Sequence, residues 1–273
     1  MYLAHFGLDE LPFSITPDTQ FTCGVTAHEE ALNTLLLAIQ SGEGFIKITG
    51  EVGVGKTLLC RRVLTMLGDD RVAAYLPNPH IEPDAMLTEV ASELGAEVGD
   101  DPSLLVKAIN RRVLEIAATD KTAVLLIDEA QTMPFETLQA LRMLSNLETE
   151  KRKLIQIVLF GQPELDEILA EKAARQVLQR ISFHYRMPGL ARRELDIYLQ
   201  HRLRVAGLRG PSLFSRTARW AIFRHSKGVP RLVNILAHKA LLAAFGEGAD
   251  RVGYAHVRRA AADTESAFRR AWI

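Results

Sequence analysis

One octapeptide limits the fold of this chain more than any other feature: Gly50-Glu51-Val52-Gly53-Val54-Gly55-Lys56-Thr57. It satisfies the phosphate-binding pattern G-x-x-x-x-G-K-[ST] at every required position. The preceding residues, Gly44 to Thr49, are mostly apolar and β-branched and predict a short strand, and Leu58 to Leu67 predicts a helix. Strand, glycine loop and helix in that order give the loop its chemistry. Glycines let the backbone curl so that successive N–H groups point inward at phosphate oxygens, and the helix adds the partial positive charge of its N-terminus. Lys56 would reach the β- and γ-phosphates, and the Thr57 hydroxyl would bind Mg²⁺. The alternative, a glycine turn that holds nothing, leaves the complete set of required residues in the right context unexplained.

The chain has 273 residues, 48% hydrophobic and 24% charged, which suits one large domain or two smaller ones. Two cysteines, Cys23 and Cys60, form neither a disulfide framework nor zinc-ligand spacing, and Cys60 reads as a small core residue. No apolar run reaches the length of a membrane span. Met1-Tyr2-Leu3-Ala4-His5 lacks the basic start and long apolar stretch of a signal peptide. The expectation is a cytoplasmic protein able to work at the inner face of a membrane. Net charge is zero, but residues 1–170 carry 13 Lys+Arg against 26 Asp+Glu, and residues 171–273 carry 20 against 7. That asymmetry fits a nucleic-acid surface at the basic end, or head-to-tail packing of the basic region of one subunit on the acidic region of the next. The plain alternative is solvated surface.

In residues 1–25, Phe6, Leu8, Leu11, Phe13, Ile15 and Phe21 are interleaved with Pro12 and Pro17. The prolines forbid a long helix, and the apolar groups predict an extended arm lying across the domain. Helix is predicted from Ala27 to Ile39, strand over Val72 to Leu76, helix over Asp84 to Leu94, and another from Pro102 to Ala118. Ala123 to Ile127 reads as a strand buried on both faces, ending in Asp128-Glu129. Phe135 to Leu147 is helical, and Ile155 to Phe160 is the next buried strand. Short helices follow near Glu164–Ala170 and Ala173–Gln179. Alternation over Ile181 to Tyr185 gives a fifth strand. After Pro188 only helical patterns remain, at Ala191–Ala206, Ser215–His225, Pro230–Phe245 and Ala255–Trp272. Strands alternating with helices predict a three-layer parallel α/β domain followed by a smaller all-helical one.

The candidate chemistry gathers around the loop. An acid at the C-terminal end of a buried strand is where such a protein holds Mg²⁺, so Asp128 is the metal candidate and Glu129 the general base that polarises water. Gln162 ends the next strand and would orient water by its amide; its alternative role is a turn residue in Gly161-Gln162-Pro163. Arg180, just before the fifth strand, could project into a neighbouring subunit's site, with Arg175 as the competing choice and a solvated arginine as the alternative for both. Gly228-Val229-Pro230-Arg231 begins a helix, and Arg231 would reach the γ-phosphate from the second domain.

These residues together resemble the AAA+ ATPase class. More closely, the chain is similar to the ATPases of bacterial secretion and type IV pilus systems: the ExeA/GspA family of type II secretion and the MshM proteins of mannose-sensitive haemagglutinin (MSHA) pilus biogenesis. The resemblance rests on His5-Phe6-Gly7-Leu8, Pro12 to Asp18, His28-Glu29-Glu30-Ala31-Leu32, Gly44-Phe45, Gly50 to Thr57, Leu58-Leu59-Cys60-Arg61, Asp128-Glu129-Ala130-Gln131, Gly161 to Leu165 and Gly228 to Arg231. It implies a P-loop sheet of order 5-1-4-3-2 with a helical lid: arm 1–25, nucleotide-binding domain 26–188, lid 189–273. It implies ATP and Mg²⁺ as cofactors, with Thr57 and Asp128 on the metal. Nucleotide contacts would come from Gly50, Glu51, Val52, Gly53, Val54, Gly55, Lys56, Thr57, Leu58, Asp128 and Arg231. Gln162 takes the sensor-1 position, Arg231 the sensor-2 position and Arg180 the arginine-finger position, while the arm helps close over the adenine. The partners implied are further copies of the chain, joined through the nucleotide sites, and pilus or secretion assembly proteins at the inner membrane. ExeA-like proteins continue into a transmembrane segment and a peptidoglycan-binding domain. This chain stops at Ile273, so peptidoglycan binding is not implied, and the shorter architecture is similar to MshM.

The leading function is therefore a Mg²⁺-dependent ATPase supporting pilus or secretion-apparatus assembly. Asp128-Glu129-Ala130-Gln131 also looks like a helicase box, but too few residues follow the first domain for a second lobe. Other readings are a DNA-binding regulator of transposition or replication, which makes nucleic acid a less favoured partner, and a nucleotide-switched scaffold, which the intact Glu129 disfavours.

Overall fold

The computed structural model describes residues 2–14, 26–97, 104–148 and 153–268. Ile15, Phe21 and Cys23 lie outside the described residues, as does Pro102. The chain divides into two compact units. One comprises Glu30–Glu51 and Gly55–Met187, the other Met1–Glu29, Val52–Val54 and Pro188–Ile273.

The first unit is built on five parallel strands: β1 (Phe45–Thr49), β2 (Arg71–Leu76), β3 (Thr122–Ile127), β4 (Ile155–Gly161) and β5 (Phe183–Arg186). Their order is β2-β3-β4-β1-β5, the expected 5-1-4-3-2 read from the other edge. The near-continuous apolar runs of β1, β3 and β4 suit strands covered on both faces, and every residue of β1 and β4 is buried. Helices α2 (Thr26–Gln40), α3 (Lys56–Met66), α4 (Pro83–Leu94), α5 (Leu105–Ala118), α6 (Phe135–Leu144), α7 (Glu164–Ala170) and α8 (Arg175–Leu178) alternate with the strands. Met86 and Val90 of α4, Ile109 and Val113 of α5, and Leu138 and Leu141 of α6 share a core with Leu125, Ile127 and Ile157 of the sheet.

Polar side chains buried in the sheet find partners at its margins. Gln156 donates from Nε2 to the carbonyls of Ile39 (3.0 Å) and Glu43 (2.8 Å), which satisfies backbone at the end of α2, and Lys47 pairs with Asp166 of α7.

The second unit packs α1 (Tyr2–Phe6) with α9 (Arg192–Val205), α10 (Arg216–Ser226), α11 (Pro230–Gly246) and α12 (Tyr254–Ala262). Its core joins Leu199, Phe214, Ile222, Leu236 and Val257 to Tyr2, Phe6, Leu8 and Phe13 of the N-terminal segment. Phe13 meets Phe214 edge-on at 5.8 Å. The nearly buried Arg202 donates to the carbonyl of Pro12 (2.6 Å) and to the Tyr198 hydroxyl (2.9 Å), so a guanidinium satisfies backbone that no ladder reaches.

Three local expectations change. The N-terminal segment begins as a five-residue helix rather than an extended arm, and Tyr2, Phe6, Leu8 and Phe13 join the core of the helical unit while Leu11 is exposed. The fifth strand starts at Phe183, two residues late, because the Ile181 N–H is still taken by Leu178 of the preceding helix and pairing with β1 begins only afterwards. The last helix stops at Ala262 rather than Trp272. Lys239 captures the Asp263 carboxylate at 2.7 Å, and the Phe268 N–H turns back to the His225 carbonyl.

Candidate functional site

Gly53 and Gly55 sit at φ 83° and 105°, the left-handed region that L side chains avoid, and this pair of reversals curls the loop between β1 and α3. Gly53 is also sterically required. A Cβ there would lie 2.4 Å from the Cβ of Arg231, and the Arg231 N–H donates to the Gly53 carbonyl at 3.3 Å. Arg231 thus stands in the first turn of α11, behind Pro230, with its side chain exposed. Val54 is fully buried, and its carbonyl accepts a hydrogen bond from His28 Nε2 at 2.7 Å. A carbonyl only accepts, so Nε2 carries the proton in this contact.

Lys56 and Thr57 open α3, and Leu58 follows half-buried in the same turn. Lys56 is 5% exposed and donates from Nζ to the carbonyls of Gly50 (2.8 Å) and Glu51 (3.2 Å). Burial pushes its pKa down, while Glu129, Asp128, Glu51 and Glu164 pull it back up. Asp128, immediately after β3, is 2% exposed. Burial pushes its pKa up, against the lowering effect of hydrogen bonds from Thr57 and the Glu129 N–H. A buried ammonium and a buried carboxylate are therefore both pressed toward neutrality, the condition of groups that gain from an arriving counter-charge.

Glu129 adopts φ 50°, an uncommon conformation for a residue with a side chain. Local bonds over-determine it. Its N–H donates to Asp128 Oδ1 at 2.9 Å, and its carbonyl accepts the Thr132 N–H and hydroxyl, both at 2.9 Å. The Glu129 carboxylate is held as well: Oε2 accepts from Gln131 Nε2 at 2.6 Å and from Gln162 Nε2 at 3.1 Å. Gln131 Oε1 in turn accepts the Gln162 N–H at 2.9 Å, which closes a triangle of three residues. Gln162 is delivered to this place by Gly161, where a Cβ would lie 2.5 Å from Leu165 Cδ2 of α7.

The structure brings Lys56, Thr57, Asp128, Glu129 and Gln162 together in the sheet unit. Gly53, Val54 and Arg231 group in the helical unit. Arg180 is partly exposed and donates to Asn146 Oδ1, while Arg175 is exposed at the start of α8. Neither arginine is brought to the loop by a contact among the described residues. Two residues with direct contacts carry no role in the sequence reading. Gln131 stands two places after Glu129, where a hydrogen-bonding side chain beside the acid was the available signal. His28 precedes Val54 by 26 residues, and nothing local marks that contact.

Thr57 and Asp128 supply one hydroxyl and one carboxylate. That small donor set fits Mg²⁺, which keeps most of its waters and takes further ligands from phosphate oxygens. No cluster of three or more His, Cys, Asp or Glu side chains able to hold a metal occurs among the described residues.

Residues 39–169 match a family model described as an AAA domain. General secretion pathway protein A of Aeromonas hydrophila is 38% identical over 263 residues, 96% of this chain and 48% of that protein, so the chain spans about half the length of this relative. Among solved structures, Cdc6p of Pyrobaculum aerophilum aligns over 91% of this chain and 71% of its own at TM-score 0.63 and 18% identity. The ORC2 protein of Aeropyrum pernix, in ADPNP–ADP complexes, aligns over 92% and 72% at TM-score 0.58 and 20% identity. The RuvB Holliday junction branch migration motor of Thermotoga maritima aligns over 89% and 72% at TM-score 0.55 and 15% identity. At those identities the structures establish the fold.

Proposed function

We propose that this chain, which belongs to the ExeA/GspA family of AAA+ ATPases, hydrolyses ATP at Gly50–Thr57 and couples the cycle to assembly of a secretion or type IV pilus apparatus. The observation that carries hydrolysis, rather than binding alone, is the Glu129 carboxylate held by Gln131 and Gln162 beside the buried Lys56 and Asp128. Lys56 would neutralise the β- and γ-phosphates, and backbone N–H groups of Gly53, Val54, Gly55 and Thr57 would line the phosphate oxygens. Mg²⁺, held by Thr57 and Asp128, would supply charge neutralisation on the phosphates. Glu129 would take the proton from the attacking water, with Gln162 fixing the direction of the carboxylate. Arg231, in the first turn of α11, would report the γ-phosphate to the helical unit acting as a lid. Arg180 would complete the site of a neighbouring copy, its Asn146 contact being given up when the copies meet.

The secretion reading rests on the relative's name and the motifs shared over nearly all of this chain. No helix among the described residues is long and apolar enough to cross a membrane.

The test is Glu129→Gln. This substitution keeps the shape and removes the proton acceptor. Expected is unchanged affinity for a fluorescent ATP analogue with phosphate release reduced about 10²-fold or more. Normal turnover would show that the base lies elsewhere.

A further inference from the structure

Residues 197–246 contain nine Lys and Arg and no Asp or Glu. Two of them, Arg216 and Arg224, lie on one exposed stripe. Arg216, Trp220 and Arg224 follow each other at four-residue spacing on α10 and so share a face. Arg224 stacks over the Trp220 ring with its guanidinium carbon 5.3 Å from the centroid. Tyr254, the first residue of α12, lies beside the same ring at 6.4 Å, and Arg258 stands one turn further along α12. Arg216, Arg224 and Arg258 are exposed, Trp220 is 38% exposed and Tyr254 40%.

Four acids of this unit are engaged elsewhere. Asp196 pairs with Arg219 at 3.2 Å, Glu247 with His256 (2.8 Å) and Arg259, and Asp263 with Lys239 at 2.7 Å. Glu194 caps α9 by accepting the Ala191 N–H at 2.7 Å. Among the described residues no carboxylate pairs with Arg216, Arg224 or Arg258. Neighbouring arginines are thus used inside the protein, while these three are left facing solvent.

We infer that the Arg216–Trp220–Arg224 face of α10, with Tyr254 and Arg258, is a docking surface for the phosphate backbone of duplex DNA. Contact with the Trp220 ring restricts the Arg224 guanidinium, so less side-chain freedom is lost when a phosphate arrives. Arg216 and Arg224 are eight residues apart, about 12 Å along the helix. That spans several phosphates of a duplex, which carries one charge per about 1.7 Å of axis. An anionic membrane would share the charge but needs apolar groups to sink below the headgroups. Here the Trp220 indole lies under the Arg224 guanidinium and is 38% exposed, and Tyr254 is the one other large apolar group of the face. The inference is independent of the role proposed for the ATPase cycle, because none of these five side chains belongs to the phosphate-loop constellation.

The experiment measures binding of a fluorescent DNA duplex of about 30 base pairs to the full chain between about 50 and 200 mM salt. It compares the parent chain with Arg216→Glu/Arg224→Glu/Arg258→Glu. The parent should bind, with log affinity falling linearly in log salt. The triple variant should bind at least about tenfold more weakly at the low-salt end, with a slope shallower by about 0.9 for each phosphate that the arginines no longer neutralise. Its basal ATP hydrolysis and Tm should be unchanged. If the triple charge reversal does not fold, the Arg→Gln triple variant serves with the same expected direction. Absence of salt-sensitive binding by the parent at low salt overturns the inference, as does a folded triple variant that binds like the parent. It is also overturned if the three arginines govern binding to phosphatidylglycerol vesicles and leave DNA binding untouched.

Discussion

Lys56 and Asp128 are 5% and 2% exposed and are held by hydrogen bonds from or to the chain itself, whereas Arg216, Arg224 and Arg258 stand in solvent without carboxylate partners among the described residues. Lys56 and the three arginines all suit phosphate, yet they suit different kinds of phosphate. Burial strengthens each interaction at the loop and makes it depend on protonation, because a desolvated lysine and a desolvated carboxylate are pressed toward their neutral forms. That arrangement selects one ligand of fixed size. Exposed guanidiniums interact weakly one at a time, are screened by salt, and do not titrate at accessible pH. That arrangement suits a polymer met at several points.

The largest expected effect that would break this contrast is that of Lys56→Ala. Removing the buried ammonium should weaken ATP binding on the order of 100-fold or more, read by fluorescent nucleotide titration. The same variant should leave affinity for the DNA duplex as it was. If both affinities fall together, the two regions are not separate. A pH series sharpens the contrast at an intermediate magnitude. On the proposed mechanism ATP binding requires charged Lys56, and that charge is lost as pH rises through a pKa that burial has lowered. ATP affinity should therefore fall by up to about tenfold per pH unit beyond that pKa, at lower pH than an ordinary lysine would allow. DNA affinity should stay flat over the same range, since arginine remains charged. Parallel losses would mean that a shared structural change, not Lys56, is titrating.

The smallest effect concerns His28. The Val54 carbonyl and the Gly55 N–H belong to one peptide plane, so a hydrogen bond that fixes the first also fixes the orientation of the second. His28→Ala should remove about 1 kcal/mol of that support and raise KM for ATP about fivefold with kcat little changed. His28→Gln, which retains an N–H donor, should recover part of the loss. A fall in kcat with KM unchanged would assign His28 to another step.

Much of this architecture was legible because it is written locally. The phosphate loop, Asp128-Glu129 and the apolar strands are contiguous patterns, and each strand's burial follows from its own composition. The sheet order came with the resemblance rather than with periodicity. What stayed hidden depends on partners distant in sequence. Glu129 meets Gln162 across 33 residues, and His28 meets Val54 across 26. The early stop of α12 is imposed by Lys239 and His225 from other helices, against a helical pattern that continues in the sequence. Burial of the N-terminal aromatics was foreseeable from their number, but not the core they enter, which is chosen by Phe214 and Arg202.

The left-handed backbone at Glu129 has an evolutionary consequence. That conformation costs a residue with a side chain about 1–2 kcal/mol, and glycine or asparagine would tolerate it better. On the proposed mechanism, selection for hydrolysis would hold glutamate in place against a standing gradient toward greater stability. A lineage released from that selection would gain folding stability by losing its base, so substitution at 129 should be among the earliest marks of a descendant that binds nucleotide without consuming it.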